Sequence, residues 1–192
     1  MVLAANLDAH SQTPAAAANH GPTNLDSVKP GIPDSELALL RPAVLPSLRK
    51  QIGIFNDETS PAATEVESEF KKCEFTPFKL GALGQAVLVV WNPLNNANAE
   101  MRNLYVRKDG TYHLLIAAEG FGPEILPGPR PVPDLVFGWG EGVCHATYSR
   151  YRYQNGHYKV DACNQETEGN GGDCAITSCA NKLPMFPNPF PD

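Results

Sequence analysis

The sequence predicts a mainly β (α+β) fold: about six antiparallel strands in two three-stranded units, preceded by short helices and flanked by extended arms. Three observations carry this. In Gly142 to Asn164, GVCHATYSRYRYQNGHYKVDACN, two runs rich in Tyr, Val and Thr meet at Asn155-Gly156. That dipeptide supplies the positive φ needed at both centres of a type I′ hairpin turn. Upstream, MRNLYVRK, Asp109-Gly110 and TYHLLIAA repeat the arrangement. Finally, LVVW stands ahead of the first hairpin as LVFGW stands ahead of the second, so that Trp91 aligns with Trp139, Tyr105 with Tyr151, Tyr112 with Tyr158 and Gly110 with Gly156. The spacing, about 46 residues, lies in the range of duplicated supersecondary units.

Residues 1–33 read as an extended arm without an apolar period, and residues 34–180 as one domain. Within that domain 34–73 is helical, 80–163 is antiparallel sheet and 164–180 is a Cys-containing loop. Asp34 or Ser35 is placed to cap a short helix ending near Leu40. Pro42 fits the first turn of a second helix that carries Val44, Leu45, Leu48 and Ile52 on one side. Ser60 and Pro61 open a third, with Ala63, Val66, Phe70 and Cys73 at helical spacing. The helices are expected to cover one face of the sheet.

GQAVLVVW is a near-continuous apolar run, and NPLNNANAE, with Asn92, Asn95, Asn96 and Asn98, is a polar loop. A two-residue turn at Asp109-Gly110 pairs Lys108 with Thr111, Arg107 with Tyr112, Val106 with His113 and Tyr105 with Leu114. EGFGPEILPGPRPVPD is expected to be a long Gly/Pro loop. Residues 181–192, containing NKLPMFPNPFPD, form an extended tail whose Met185, Phe186 and Phe190 should dock in a groove.

A strand, a loop and an aromatic strand ending in a DG-like turn followed by Tyr resemble the repeats of secreted bacterial FG-GAP or VCBS-type proteins. YRYQNGHYKVDAC also resembles the ending of many small exported bacterial proteins. The resemblance covers residues 84–163 at most. Its metal-binding Asp-x-Asp-x-Asp-Gly loop is absent, so it implies no calcium site here.

The formal charge of −6 disfavours a nucleic-acid backbone or an anionic membrane surface as partner. Five cysteines, four of them after residue 143, suit an oxidising compartment, secreted or periplasmic. The N-terminus has no basic n-region and no apolar h-region, and reads as the start of an exported chain whose signal is not included.

Cys144, Cys163, Cys174 and Cys179 are the disulfide candidates. Cys144–Cys163 is the favoured pair, with Cys163 to Cys174 or Cys179 as competitor and a local Cys174–Cys179 bridge also open. In the unslipped hairpin register, however, Cys163 faces Tyr148. Cys73 is left over as a buried thiol. Tyr151, Tyr153 and Tyr158 share one hairpin face. Arg150, Arg152, Lys159, Asp161 and Tyr148 share the other, with Arg150 opposite Asp161. With Trp91 and Trp139, these tyrosines and arginines form the candidate binding surface, although the Tyr face fits a core face better.

No catalytic, metal or cofactor residue is assigned and no cofactor is expected: Cys144 and His145 are strand neighbours pointing to opposite faces, and no Cys-x-x-Cys or G-x-S-x-G occurs. The expected function is that of an exported, non-enzymatic structural or binding protein acting through its surface and self-assembling through its arms. Its partner is itself, another extracellular protein or a glycan. A glycan-binding module and a thiol-dependent hydrolase are the alternatives.

Overall fold

The computed structural model describes residues 31–94, 100–140, 142–169, 173–180 and 183–187, together with Thr23–Asn24. The expectations for the rest of residues 1–33, for Asn95, Asn96 and Asn98, and for Phe190 lie outside the described residues. Two antiparallel sheets and two helices make up the fold. In chain order the elements are β1 (Thr23–Asn24), α1 (Asp34–Phe55), α2 (Ala63–Phe70), β2 (Glu74–Lys79), β3 (Gln85–Trp91) and β4 (Met101–Lys108). Then follow β5 (Thr111–Glu119), β6 (Phe121–Leu126), β7 (Asp134–Gly140), β8 (Ala146–Gln154), β9 (His157–Glu168) and β10 (Cys174–Ser178).

The first sheet has the order β2-β3-β4-β5 and the second β1-β6-β7-β8-β9-β10. The fold is therefore mainly β, but with more strands than the sequence suggests. Each three-stranded unit gains an outer strand, giving the meanders β2-β3-β4-β5 and β6-β7-β8-β9. The two extra strands contain proline. Pro77 stands in the edge strand β2, where a missing N–H is tolerated. Pro123 falls where the β6–β7 register slips, between Phe121 and Glu124. EGFGPEILPGPRPVPD is thus not a loop throughout, and β10 lies in what reads as a Cys-containing loop.

The two hairpins match in more than turn type. Asp109 and Gly110 have φ of 50° and 80°, and Asn155 and Gly156 have 51° and 89°, as a type I′ turn requires. Lys108 pairs with Thr111, Arg107 with Tyr112, Val106 with His113 and Tyr105 with Leu114, as expected. Each hairpin then slips by one residue at an aligned position. Leu115 is the extra residue beside Leu104/Tyr105, and Asp161 the extra one beside Arg150/Tyr151. Trp91 pairs with Met101 as Trp139 pairs with Thr147.

The layers run helices, first sheet, second sheet. Leu40, Val44, Leu48 and Ile52 of α1, with Val66 and Phe70 of α2, pack on Val87, Val89, Trp91, Tyr105 and Tyr112. The opposite face of the first sheet meets Leu135, Phe137 and Tyr158 of the second. Strand β3 is covered on both faces, which explains its unbroken apolar run.

α1 is one helix, not two, with Pro42 and Pro46 inside it. A proline in a helix interior costs about 3 kcal/mol. Four α1 side chains at 0–1% exposure offset this at roughly 1.5–3 kcal/mol each. Its N-cap residue is Pro33, without a side-chain bond, and that of α2 is Ala62, so neither Asp34 nor Ser60 caps. Ala63 is exposed, while Val66, Phe70 and Cys73 are buried. Gln51 and Asn103 exchange amide hydrogen bonds of 3.0 Å, tying α1 to β4. Buried Arg102 donates from Nε to the Gly120 carbonyl at 2.7 Å and from Nη1 to that of Gly122, so β4 grips the turn that leads into the second sheet.

Candidate functional site

The outer face of the second sheet gathers most of the predicted polar residues, because strand alternation sends Tyr148, Arg150 and Arg152 away from the first sheet. Arg150 bonds both oxygens of Asp161, at 2.8 and 3.1 Å, through Nε and Nη2. The pair forms, yet Arg150 is aligned with Ala162: the bulge supplies Asp161 as an additional residue. Arg152 also reaches Asp161, at 2.8 Å, and lies 3.5 Å from buried Asp134, which Arg130 pairs in turn. The result is a ladder of alternating charge across β7, β8 and β9. Tyr148 donates to Glu166 at 2.8 Å, and burial, followed by that bond and the Glu166 charge, raises its phenol.

The Tyr ladder is core. Tyr151 and Tyr153 pack with Tyr158 against the first sheet, and Tyr158 donates to the Pro133 carbonyl at 2.9 Å. Burial raises the Tyr151 phenol, and burial together with the Asp134 and Tyr153 charges raises that of Tyr158. Tyr158 is buried there, while Tyr151 and Tyr153 are half-buried. The tryptophans differ: Trp91 is 3% exposed beneath Phe55 and donates to Glu69 at 2.9 Å, whereas Trp139 is 41% exposed. Among the described residues, no helix covers this counterpart of Trp91.

The disulfides are Cys144–Cys174 and Cys163–Cys179, with Cα separations of 5.0 and 5.7 Å. The favoured Cys144–Cys163 pair and the local Cys174–Cys179 bridge do not form; of the competing pairs, Cys163–Cys179 does. Two causes decide it. The bulge aligns Cys163 with Ser149, and β10 pairs along β9 from Ser178–Asn164 to Cys174–Glu168. That pairing brings Cys179 beside Cys163 and carries Cys174 to the loop holding Cys144. Both ends of edge strand β10 are therefore fastened covalently, which suits an oxidising environment.

Cys73 is the one free cysteine, and it is buried. Its thiol donates to the Glu69 carbonyl at 3.5 Å, and burial, aided by the Glu69 charge, pushes its pKa up to about 12. A nucleophilic cysteine needs the opposite shift. His113, His145 and His157 are exposed, the first 3.1 Å from Thr111 and the last 3.1 Å from the Asn155 carbonyl. A depression of about 470 Å³ beside α1, lined by Arg49, Lys50, Ile54 and Glu58 among others, contains neither cysteine nor histidine. Among the described residues no three His, Cys, Asp or Glu side chains gather as a metal site would require, and no helix is long and apolar enough to cross a membrane.

The C-terminal segment lies on the outer face. Phe186 is 5% exposed among Val136, Ala146, Tyr148 and Ala162, with Phe121 and Leu126 at the rim. The Arg150 guanidinium stands 5.5 Å from its ring centroid. Asn164, fully buried, donates to the Phe186 carbonyl at 2.8 Å and accepts from the Phe186 N–H at 3.1 Å. The Cys163 N–H donates to the Pro184 carbonyl at 3.0 Å. Docking of Phe186 in a groove is thus seen within one chain, whereas Met185 is 48% exposed. Sequence reading missed Asn164. Its one signal is an amide side chain directly after Cys163, where a strand normally avoids it.

The arrangement is an α/β/β layered sandwich whose outer sheet carries its own extended segments. No family model, curated protein or solved structure matches this chain.

Proposed function

We propose that this is an exported, non-enzymatic binding protein that works through its second sheet and self-associates by exchanging its arms. The observation that carries this reading is that both arms engage that sheet through main-chain groups. β1 extends its edge by pairing Thr23 with Ile125 and Asn24 with Glu124, and Asn164 holds the backbone of Phe186. A main-chain contact made by a tethered arm can be made equally by the same arm of a second copy, which is the basis of exchange between protomers. The fastened edge strand β10 and the two disulfides support work outside the reducing cytosol.

Light scattering on the intact chain over a range of concentrations tests it, beside a chain lacking residues 1–33. Species larger than the monomer, growing with concentration and lost on deletion, are expected. Two monomers of unchanged shape would sink self-association.

The exposed indole of Trp139 favours a second reading, a glycan-binding surface. Trp91 is buried, so polysaccharide binding would change the red-edge emission that belongs to Trp139. Unchanged emission across a panel of soluble polysaccharides would remove this reading.

A further inference from the structure

We infer that the outer face of the second sheet is a recognition site for extended peptides in which a phenylalanine is followed by proline, with the chain's own tail as a tethered competitor. The inference deepens the reading of this sheet as a surface that receives extended chain.

The site reads two things. One is backbone. The bonds from Asn164 and Cys163 contact only peptide groups of Pro184 and Phe186, so they set the direction and extension of the segment whatever its other side chains are. An Asn fully withdrawn from water must have both halves of its amide satisfied, and an extended residue's N–H and C=O provide that match. The other is a single side chain. Phe186 is the one buried residue of 183–187, while Pro184, Met185 and Pro187 are exposed. Flanking prolines keep the segment extended before it binds, which lowers the ordering cost.

The pocket is organised by groups that do not belong to the tail. Asp161 orients Arg150 over the ring, and Glu166 holds the Tyr148 hydroxyl. Phe121 lies across Gly138, where an added Cβ would fall 2.1 Å from its ring. Among the described residues, no tail residue enters the core between the helices and the first sheet or the core between the two sheets. The receiving sheet thus owes its two main cores to residues outside the tail, while Phe186 is itself one of the buried residues of the pocket. The occupant is tethered close by, since Cys179, bonded to Cys163, precedes Pro184 by a few residues. Such a tether gives an effective concentration of roughly millimolar order, which a free peptide must overcome.

The tail carries the same dipeptide again at Phe190-Pro191, so both phenylalanines must be removed to empty the site. The test is fluorescence anisotropy of a labelled peptide with the sequence of Leu183–Asn188, added to the full-length Phe186→Ala/Phe190→Ala variant. Saturable binding is expected, at least about tenfold tighter than to the unmodified chain. It should vanish when Asn164→Ala is added or when the peptide's phenylalanine becomes alanine. A folded double variant that shows no saturable binding overturns the inference, as does equal binding of the alanine peptide; equal binding to the unmodified chain overturns the competitor role. If the double variant does not fold, excess unlabelled peptide is added to the ¹⁵N-labelled unmodified chain, where the Met185 and Phe186 amides should move to free-tail positions. Amides that stay in place overturn the inference. A monomeric chain that binds the peptide would end self-association and keep this site, and an assembling chain that ignores the peptide would do the reverse.

Discussion

Glu69 serves three neighbours, two through its carboxylate and one through its backbone. It accepts from Trp91 Nε1 at 2.9 Å and from Lys72 at 2.6 Å, while its backbone carbonyl takes the Cys73 thiol. Burial works to raise its pKa, but the Lys72 and Trp91 bonds and the Lys72 charge together hold it below the usual 4.5. A carboxyl depressed in the folded state contributes stability that is present above its unfolded pKa and fades as pH falls through the folded one. Glu69→Gln should therefore cost more stability near pH 7 than near pH 3, as measured by urea midpoints read from Trp91 fluorescence. An equal cost at both would show that the charge is irrelevant. Asn164 works by the same logic without charge: its amide is worth keeping only because Phe186 completes it.

At the scale of elements, α1 shows tertiary packing overriding local preference. Pro42 is expected to open a second helix, yet α1 runs through it and through Pro46, because the Leu40, Val44, Leu48 and Ile52 stripe lies along the first sheet. Both prolines are exposed, so replacing either removes a backbone conflict and no core contact. Pro46→Ala is expected to stabilise the chain by about 1–3 kcal/mol, visible as a higher urea midpoint with unchanged slope. A lower midpoint would mean that the proline shapes a bend the sheet requires. The bulges make the complementary case. A one-residue slip in β9 places Asp161 between Arg150 and Arg152, aligns Cys163 with Ser149 and turns Asn164 toward the tail.

For the whole molecule, the disulfides act on the unfolded chain and on one edge of the second sheet. Their sequence separations of 30 and 16 residues correspond to about 3.6 and ~3 kcal/mol of loop-closure stabilisation. Paired Cys→Ser replacement of Cys144/Cys174 should thus lower stability at least as much as replacement of Cys163/Cys179, by equilibrium denaturation. If losing Cys163–Cys179 costs clearly more, its added role is in holding the tail beside Asn164. The same measurement made with and without the labelled peptide separates the two effects.

Part of this fold follows from local chemistry alone. Asp109-Gly110 and Asn155-Gly156 dictate their turns because so few residues accept positive φ at both centres. The tyrosine alternation follows from the pleat, and the unbroken apolar run of β3 states that both its faces are covered. Which cysteines bond, that α1 continues through two prolines and that strands form within Gly/Pro-rich segments were settled by the tertiary structure. Each of these depends on what lies opposite: a bulge shifts partners by one residue, a neighbouring strand supplies the hydrogen bonds that a proline-containing segment cannot secure alone, and a sheet face becomes interior only when another layer covers it. The candidate site belongs to this second group, since Asn164, Arg150 and Phe186 come together only after the slip in β9 and the fold-back of the tail.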